Sequence, residues 1–193
     1  MKVVGVGCGP GMLTEEAARV IRRAEVIHGS ARAIELASGM IRPGCLVHEI
    51  GDYRALRDLG DGAVVLSTGD PMLSGLGYLP GEIVPGISSL QVALSRLHLS
   101  WTRVVVLSAH GRDHVAACAE ASAELVRGRS VFLIADPTFS VHALANALRE
   151  TSGDARIAVC ESLGYPDERV SVGTVDDPPV PTSSLFVVVA GRF

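Results

Sequence analysis

The sequence predicts an α/β protein in which helices cover both faces of a mainly parallel sheet. Short apolar, β-branched runs alternate with amphipathic stretches of helical spacing, the pattern of parallel strands joined by covering helices. One run, Ala63–Ser67, is almost wholly apolar rather than alternating, as expected of a strand covered on both faces. Three runs close on glycine-rich turns: Gly5-Val6-Gly7-Cys8-Gly9-Pro10-Gly11, Ser67-Thr68-Gly69-Asp70-Pro71 and Val84-Pro85-Gly86-Ile87-Ser88-Ser89. Glycine at a strand end lets a bound molecule approach the backbone without meeting a Cβ, and ligands of open α/β sheets bind beyond the carboxyl ends of the strands. Three such ends predict one shared cleft.

The elements follow in order. Lys2 to Val6 is a strand leading into the first turn. Thr14-Glu15-Glu16 opens a helix whose apolar face is Ala17, Ala18, Val20 and Ile21. Val26 to Gly29 is the second strand, and Ser30 caps a helix running to about Ala37. Cys45 to Ile50 is a strand, and Tyr53 to Leu59 a short helix. After Ala63–Ser67 the turn leads into Met72 to Leu79, followed by a brief strand Glu82–Val84 and a helix from Leu90 to about Leu97. The second half gives a strand at Arg103 to Ser108, a helix to about Arg127, a strand at Ser130 to Ala135 and a helix to Arg149. Two late strands lie at Arg156 to Cys160 and Leu185 to Ala190, with the proline-rich 176–181 a loop. The segment 97–102 is the expected boundary between lobes 1–101 and 102–193.

Composition narrows the function classes. A formal charge of −4 disfavours a nucleic-acid partner, since phosphate binding needs a basic surface. No apolar run approaches the roughly 20 residues needed to span a bilayer. Cys8, Cys45, Cys118 and Cys160 are scattered without a CxxC pair, which predicts free thiols in a reducing, cytoplasmic setting. Lys2 is the only lysine beside 16 arginines, a bias that follows either from codon usage or from a carboxylate-rich ligand.

The turns exclude two common nucleotide readings. A dinucleotide fingerprint needs a small residue at its third glycine position, where this chain holds Pro10 or Met12. A phosphate-binding loop needs a lysine after its glycines, and there is none. Pro10 also removes an amide donor, so the turn suits a ligand carrying positive charge, such as a sulfonium. Asp70 either ties its own turn or meets the ligand; Ser88 and Ser89 either cap a helix or meet it. His110 and Arg112 follow a strand end, as anion contacts or as loop anchors. His110 and His114 sit four apart, but Gly111 sets the helix start after His110 and no third ligand is evident, so no metal site is expected. No GxSxG elbow occurs, which disfavours hydrolysis.

Taken in order, GVGCGPGMLT, STGDPMLSGLG and VPGISSLQVALSRL resemble the tetrapyrrole methylase family over essentially the whole chain. The resemblance implies two α/β lobes, a mainly parallel N-terminal sheet and a mixed C-terminal sheet, with an S-adenosylmethionine (SAM) cleft between. LSAHGRD at 107–113 and ESLGYPDERVSVGT at 161–174 resemble the cobalamin-biosynthesis branch that methylates C5 of a corrin precursor, cobalt-precorrin-7 or precorrin-6Y. Branches acting on uroporphyrinogen III, diphthine or ribosomal RNA share the glycine turns and are the alternatives, as is a non-catalytic partner of the C15 methylase. The first turn departs from the family pattern, because Gly11 runs straight to Met12-Leu13-Thr14.

By position, the resemblance implies SAM contacts at Pro10, Thr68, Gly69, Asp70, Leu73, Ser88, Ser89, Ile134 and Leu163. It implies a tetrapyrrole substrate whose carboxylates meet Arg112, with Arg54 and Arg32 as weaker candidates, and His110 for proton handling or substrate positioning. It further implies a homodimer and a separate C15-methylating, decarboxylating subunit.

Overall fold

The structure, a computed structural model, describes residues 1–111 and 113–193, with Ser74 described by its backbone alone. Its contacts divide the chain into two compact units, Met1–Ser89 and Leu90–Phe193. The helix expected at the end of the first lobe therefore goes almost wholly with the second unit. One tie is Arg96, whose Nε donates to Glu168 Oε1 at 2.5 Å.

The first unit is a five-stranded sheet of β1 (Lys2–Gly5), β2 (Val26–Gly29), β3 (Leu46–Glu49), β4 (Ala63–Ser67) and β5 (Glu82–Val84). The order is β3-β2-β4-β1-β5 and every pairing is parallel. Successive residues of a strand face opposite sides, so both sides must be apolar where both are covered. On one side Val4, Ile27, Val64, Leu66 and Val84 pack with Ala17 and Ile21 of α1 (Glu15–Arg23) and Ala33 and Ala37 of α2 (Ala31–Ala37). On the other, Val3 and Val65 pack with Leu56, Leu76 and Leu79. Helix α1 begins where Thr14 Oγ1 accepts the Ala17 amide at 3.1 Å, with Glu15 and Glu16 in its first turn and Arg22 and Arg23 in its last, all favourable to the helix dipole. The helix expected over Tyr53 to Leu59 is a single 3-10 turn, Ala55–Asp58, because only Leu56 of that turn reaches the core. The segment leading into Met72 to Leu79 opens with one helical turn, α3 (Pro71–Ser74).

This topology places the site. From β1 the chain crosses β4 to reach β2, and from β4 it crosses β1 to reach β5. Adjacent strands whose connections leave in opposite directions open a crevice at their carboxyl ends.

The second unit opens with the rest of α4 (Ser89–Arg96). Its sheet, in the order β6-β7-β10-β8-β9, comprises β6 (Val104–Ser108), β7 (Ser130–Ile134), β8 (Arg156–Glu161), β9 (Arg169–Thr174) and β10 (Phe186–Gly191). Only β6 and β7 pair in parallel; the other three pairings are antiparallel. One face is covered by α5 (His114–Val126) and α6 (Val141–Arg149), whose Ala117, Ala121, Leu125, Leu144 and Leu148 pack on Val131, Leu133, Ile157, Val159 and Val188. Strand β9 was not expected from the sequence. Its residues alternate Val170, Val172 with Ser171, Gly173, but its glycine and polar neighbours read as loop; register with β8 makes it an edge strand.

The cysteines give a direct check on the packing. Cys8, Cys118 and Cys160 are buried and Cys45 is partly exposed. Burial, then Glu168 and Glu161 nearby, push the Cys160 thiol up to about 12, and burial also raises Cys118. Thiolate is the reactive form, so a maleimide at pH 7.5 is expected to label Cys45 alone in the native protein and all four cysteines in guanidinium. Native labelling of Cys160, read by peptide mass, contradicts this packing.

Candidate functional site

The three glycine turns meet at the carboxyl ends of β1, β4 and β5, and each is bonded to the other two. Gly7 and Gly69 exchange backbone hydrogen bonds, at 3.3 Å from the Gly7 amide and 2.8 Å from the Gly69 amide. The Cys8 amide donates to the Ile87 carbonyl at 3.0 Å, joining the first turn to the third. Asp70 joins the second to the third: its Oδ1 accepts the Met72 amide at 2.8 Å and its Oδ2 the Gly86 amide at 3.0 Å. Arg32 Nη2 donates to the Cys8 carbonyl at 2.6 Å, so this substrate candidate serves at least in part to hold the first turn.

The glycines are required by approach and by conformation. A Cβ on Gly86 would stand 2.2 Å from the Gly69 carbonyl oxygen, and one on Gly5 would stand 2.6 Å from the Gly86 nitrogen. Gly7 and Gly69 hold φ of +82° and +68°, which L side chains rarely adopt. Over Gly69 the nearest atom to an added Cβ is Ser88 Cα at 3.8 Å, so backbone is presented there without a crowding side chain. Pro10 and Gly11 are exposed at the tip, and the one lysine, Lys2, pairs with Glu82 at the opposite end of the strands. The turns thus present backbone beside a proline, and the lysine a triphosphate site would need is held at the other end of the strands.

Of the residues expected to contact a cofactor, Pro10, Thr68, Gly69, Asp70, Leu73, Ser88 and Ser89 all lie on these joined turns or within three residues of them. Ser88 is buried at 4% exposure, and Ser89 begins α4. Both oxygens of Asp70 accept loop amides, so the turn-tying role holds for this side chain.

In the second unit, Ile134 ends β7 and its carbonyl accepts the Ala109 amide at 2.9 Å. Leu163 is buried just past β8, between Ser162 and Gly164, both at positive φ. His110 is exposed in the loop after β6, and α5 begins at His114, capped by Asp113, so the two histidines do not share a helix. Arg112 lies outside the described residues. Among the described residues no three His, Cys, Asp or Glu side chains gather as metal ligands.

Two carboxylate clusters of this unit escaped the sequence reading. Glu161, 1% exposed, accepts the Thr182 and Ser183 amides at 2.6 and 2.7 Å, the Thr182 hydroxyl, and Arg169 Nε at 2.6 Å. Burial alone would raise its pKa; the amides of Ser183 and Thr182, the Thr182 hydroxyl and Arg169 outweigh it and hold the carboxyl below the usual range. Asp136, just after β7, gathers Thr138, Gly111 and His114. Thr138 lies two residues from Asp136 and Arg169 eight from Glu161, but Gly111, His114, Thr182 and Ser183 lie 21 to 25 residues from the carboxylates they meet, and only the fold brings them together.

A parallel sheet with a glycine-lined switch point between β1 and β4 belongs to the class of open α/β folds that bind ligands at their strand ends, and comparison with known proteins specifies it. Residues 2–179 match the family Tetrapyrrole (Corrin/Porphyrin) Methylases, and the chain belongs to that family of methyltransferases. It is 26% identical over 190 residues to the probable cobalt-precorrin-7 C(5)-methyltransferase of Methanocaldococcus jannaschii, with 89% of each chain covered. It is 30% identical over 204 residues to the decarboxylating precorrin-6Y C(5,15)-methyltransferase of Mycobacterium tuberculosis, covering 96% of this chain but 50% of that one. The chain therefore spans about half the length of this second relative. The crystal structure of the cobalamin-biosynthesis precorrin-6Y methylase (cbiE) from Archaeoglobus fulgidus superposes with a TM-score of 0.77 at 30% identity, covering 100% of this chain and 98% of that one. No described helix is long and apolar enough to cross a membrane.

Proposed function

We propose that the chain transfers a methyl group from SAM to C5 of a corrin precursor, cobalt-precorrin-7 or precorrin-6Y, in cobalamin biosynthesis. The observation that carries this reading is the near full-length likeness, 89% of both chains, to a relative named for that single methylation. The mutually bonded turns support it by offering a surface suited to the donor. The proposal assigns the C15 step to a separate polypeptide and includes a cytoplasmic homodimer, on the strength of the family resemblance.

SAM, when bound, supplies a methyl group already activated by its sulfonium. The protein's task is then alignment and exclusion of water. Gly7 and Gly69 present backbone, and Pro10 limits motion at the tip. Asp70 keeps the second and third turns in register, so their surface need not reorganise as ligand arrives. Ile134 and Leu163 are proposed as further contacts. Arg112 is proposed to bind a substrate carboxylate, with His110 positioning the macrocycle or handling its proton. The meso carbon is itself nucleophilic, so a strong base is unnecessary.

Purified protein incubated with methyl-labelled SAM and a cobalt-precorrin fraction is expected to label the tetrapyrrole at C5, and to leave RNA and protein acceptors unlabelled. Arg112→Ala should raise KM for the tetrapyrrole about tenfold, the cost of one charge-assisted hydrogen bond, while SAM affinity holds. Label on RNA or protein instead contradicts the reading, and equal loss of SAM binding contradicts the role of Arg112.

A further inference from the structure

The loop after β6 is anchored at three points. The Ala109 amide is bonded to the Ile134 carbonyl at 2.9 Å, and Asp113 caps α5 through its Oδ1, which accepts the Val115 and Ala116 amides at 2.9 and 3.3 Å. Between them, Asp136 reaches across from the loop after β7. Its Oδ1 accepts the amide and hydroxyl of Thr138 at 2.9 and 2.6 Å, which fixes the carboxylate on its own loop. That leaves Oδ2 to accept the Gly111 amide at 3.2 Å and to meet His114 Nε2 at 3.0 Å. Gly111 turns the chain at φ +62°, and the His114 ring stands edge-on to Phe139 with centroids 5.4 Å apart.

A carboxylate suits this place better than an amide. All its oxygens accept, whereas an asparagine that kept its carbonyl on Thr138 would set its own NH2 against the Gly111 N–H. The Thr138 hydroxyl, and then His114, hold the Asp136 carboxyl below the usual range, so the anion persists throughout neutral pH. The backbone anchored in this way carries His110.

We propose that Asp136 is a positioning residue for tetrapyrrole recognition: through Gly111 and His114 it holds His110 and the start of α5 in the form that receives the substrate's carboxylates. The inference rests on the function proposed above. Asp136 acts through the loop and not by touching the macrocycle. A tie serving stability alone would affect both ligands equally; a positioning residue affects only one.

The test is binding. Titrating uroporphyrin III, a macrocycle bearing acetate and propionate arms, by fluorescence quenching, and S-adenosylhomocysteine by calorimetry, separates the two ligands. Asp136→Asn is expected to weaken uroporphyrin III about tenfold, as loss of a charge-assisted bond does, and to leave S-adenosylhomocysteine within twofold. His114→Phe, which fills the ring's volume without its nitrogen, is expected to show the same selectivity and carries the test where Asp136→Asn loses its melting transition. Unchanged uroporphyrin III binding, or equal weakening of both ligands, overturns the inference and leaves the functional reading standing. A wild-type protein that binds S-adenosylhomocysteine but not uroporphyrin III also overturns the inference, whereas the functional reading falls only if the labelling experiment above fails.

Discussion

Gly86→Ala is expected to abolish S-adenosylhomocysteine binding. The added Cβ would lie 2.2 Å from the Gly69 carbonyl oxygen and 2.8 Å from Gly5 Cα. All of those atoms are backbone, so no side chain can swing away to make room. Relief requires the third turn to move off the first two, breaking the Cys8–Ile87 and Asp70–Gly86 bonds that hold the binding surface together. Overpacking of this kind costs about 1–3 kcal/mol of stability. Displacing a preorganised binding loop by about an ångström costs on the order of a hundredfold in function. Gly60→Ala is the control, since a Cβ there meets nothing within 4 Å. Calorimetry should show no heat for Gly86→Ala and unaltered affinity for Gly60→Ala; intact affinity in the former means that the turns do not form the site.

Glu161→Ala is the second large effect, and it falls on stability rather than binding. Removing the carboxylate leaves Arg169 and the Thr182 and Ser183 amides without the acceptor around which the β8, β9 and 180–185 segments are arranged. Glu161 is buried but Arg169 is half-exposed and can turn to water, so the cost falls chiefly on the remaining donors, about 1–3 kcal/mol for each left without its acceptor. In a domain of this size that is on the order of a 10 °C fall in melting temperature. The pH dependence has a definite sign. A carboxyl held below its unfolded pKa stabilises fully above that value, near ~4.3, and its contribution drains away as the pH falls through the lower folded value. Urea unfolding at pH 7 and at pH 3 should show the gap between variant and wild type shrinking in acid. A variant within about 1 kcal/mol of wild type at pH 7 contradicts the account of this network.

Much of the fold was legible because strands buried on two sides declare themselves as apolar runs and because caps lie next to the helices they start. Thr14, Ser30 and the Ala63–Ser67 run are of this kind. The glycine turns were legible for the same reason: each glycine answers a constraint at its own position. Their pairwise bonding was not, since Cys8 meets Ile87 and Asp70 meets Gly86 only once five strands have paired in parallel. Strand β9 was missed because an edge strand needs little apolar surface and Gly173 mimics a turn. Glu161 and Asp136 were missed because a carboxylate is unremarkable in sequence until distant partners, Thr182 and Ser183 for the one and Gly111 and His114 for the other, all 21 to 25 residues away, arrive around it. Sequence therefore marked the glycine turns more readily than what keeps the surrounding loops in place.

The central claim is that the three joined turns of the first unit hold the methyl donor. A crystal of the protein grown with S-adenosylhomocysteine tests it most directly. Density for the ligand is predicted over Gly69, against Pro10 and beside Ser88, with the Gly7–Gly69 and Asp70–Gly86 bonds kept. Ordered ligand bound elsewhere on the protein, with these turns bare, contradicts it.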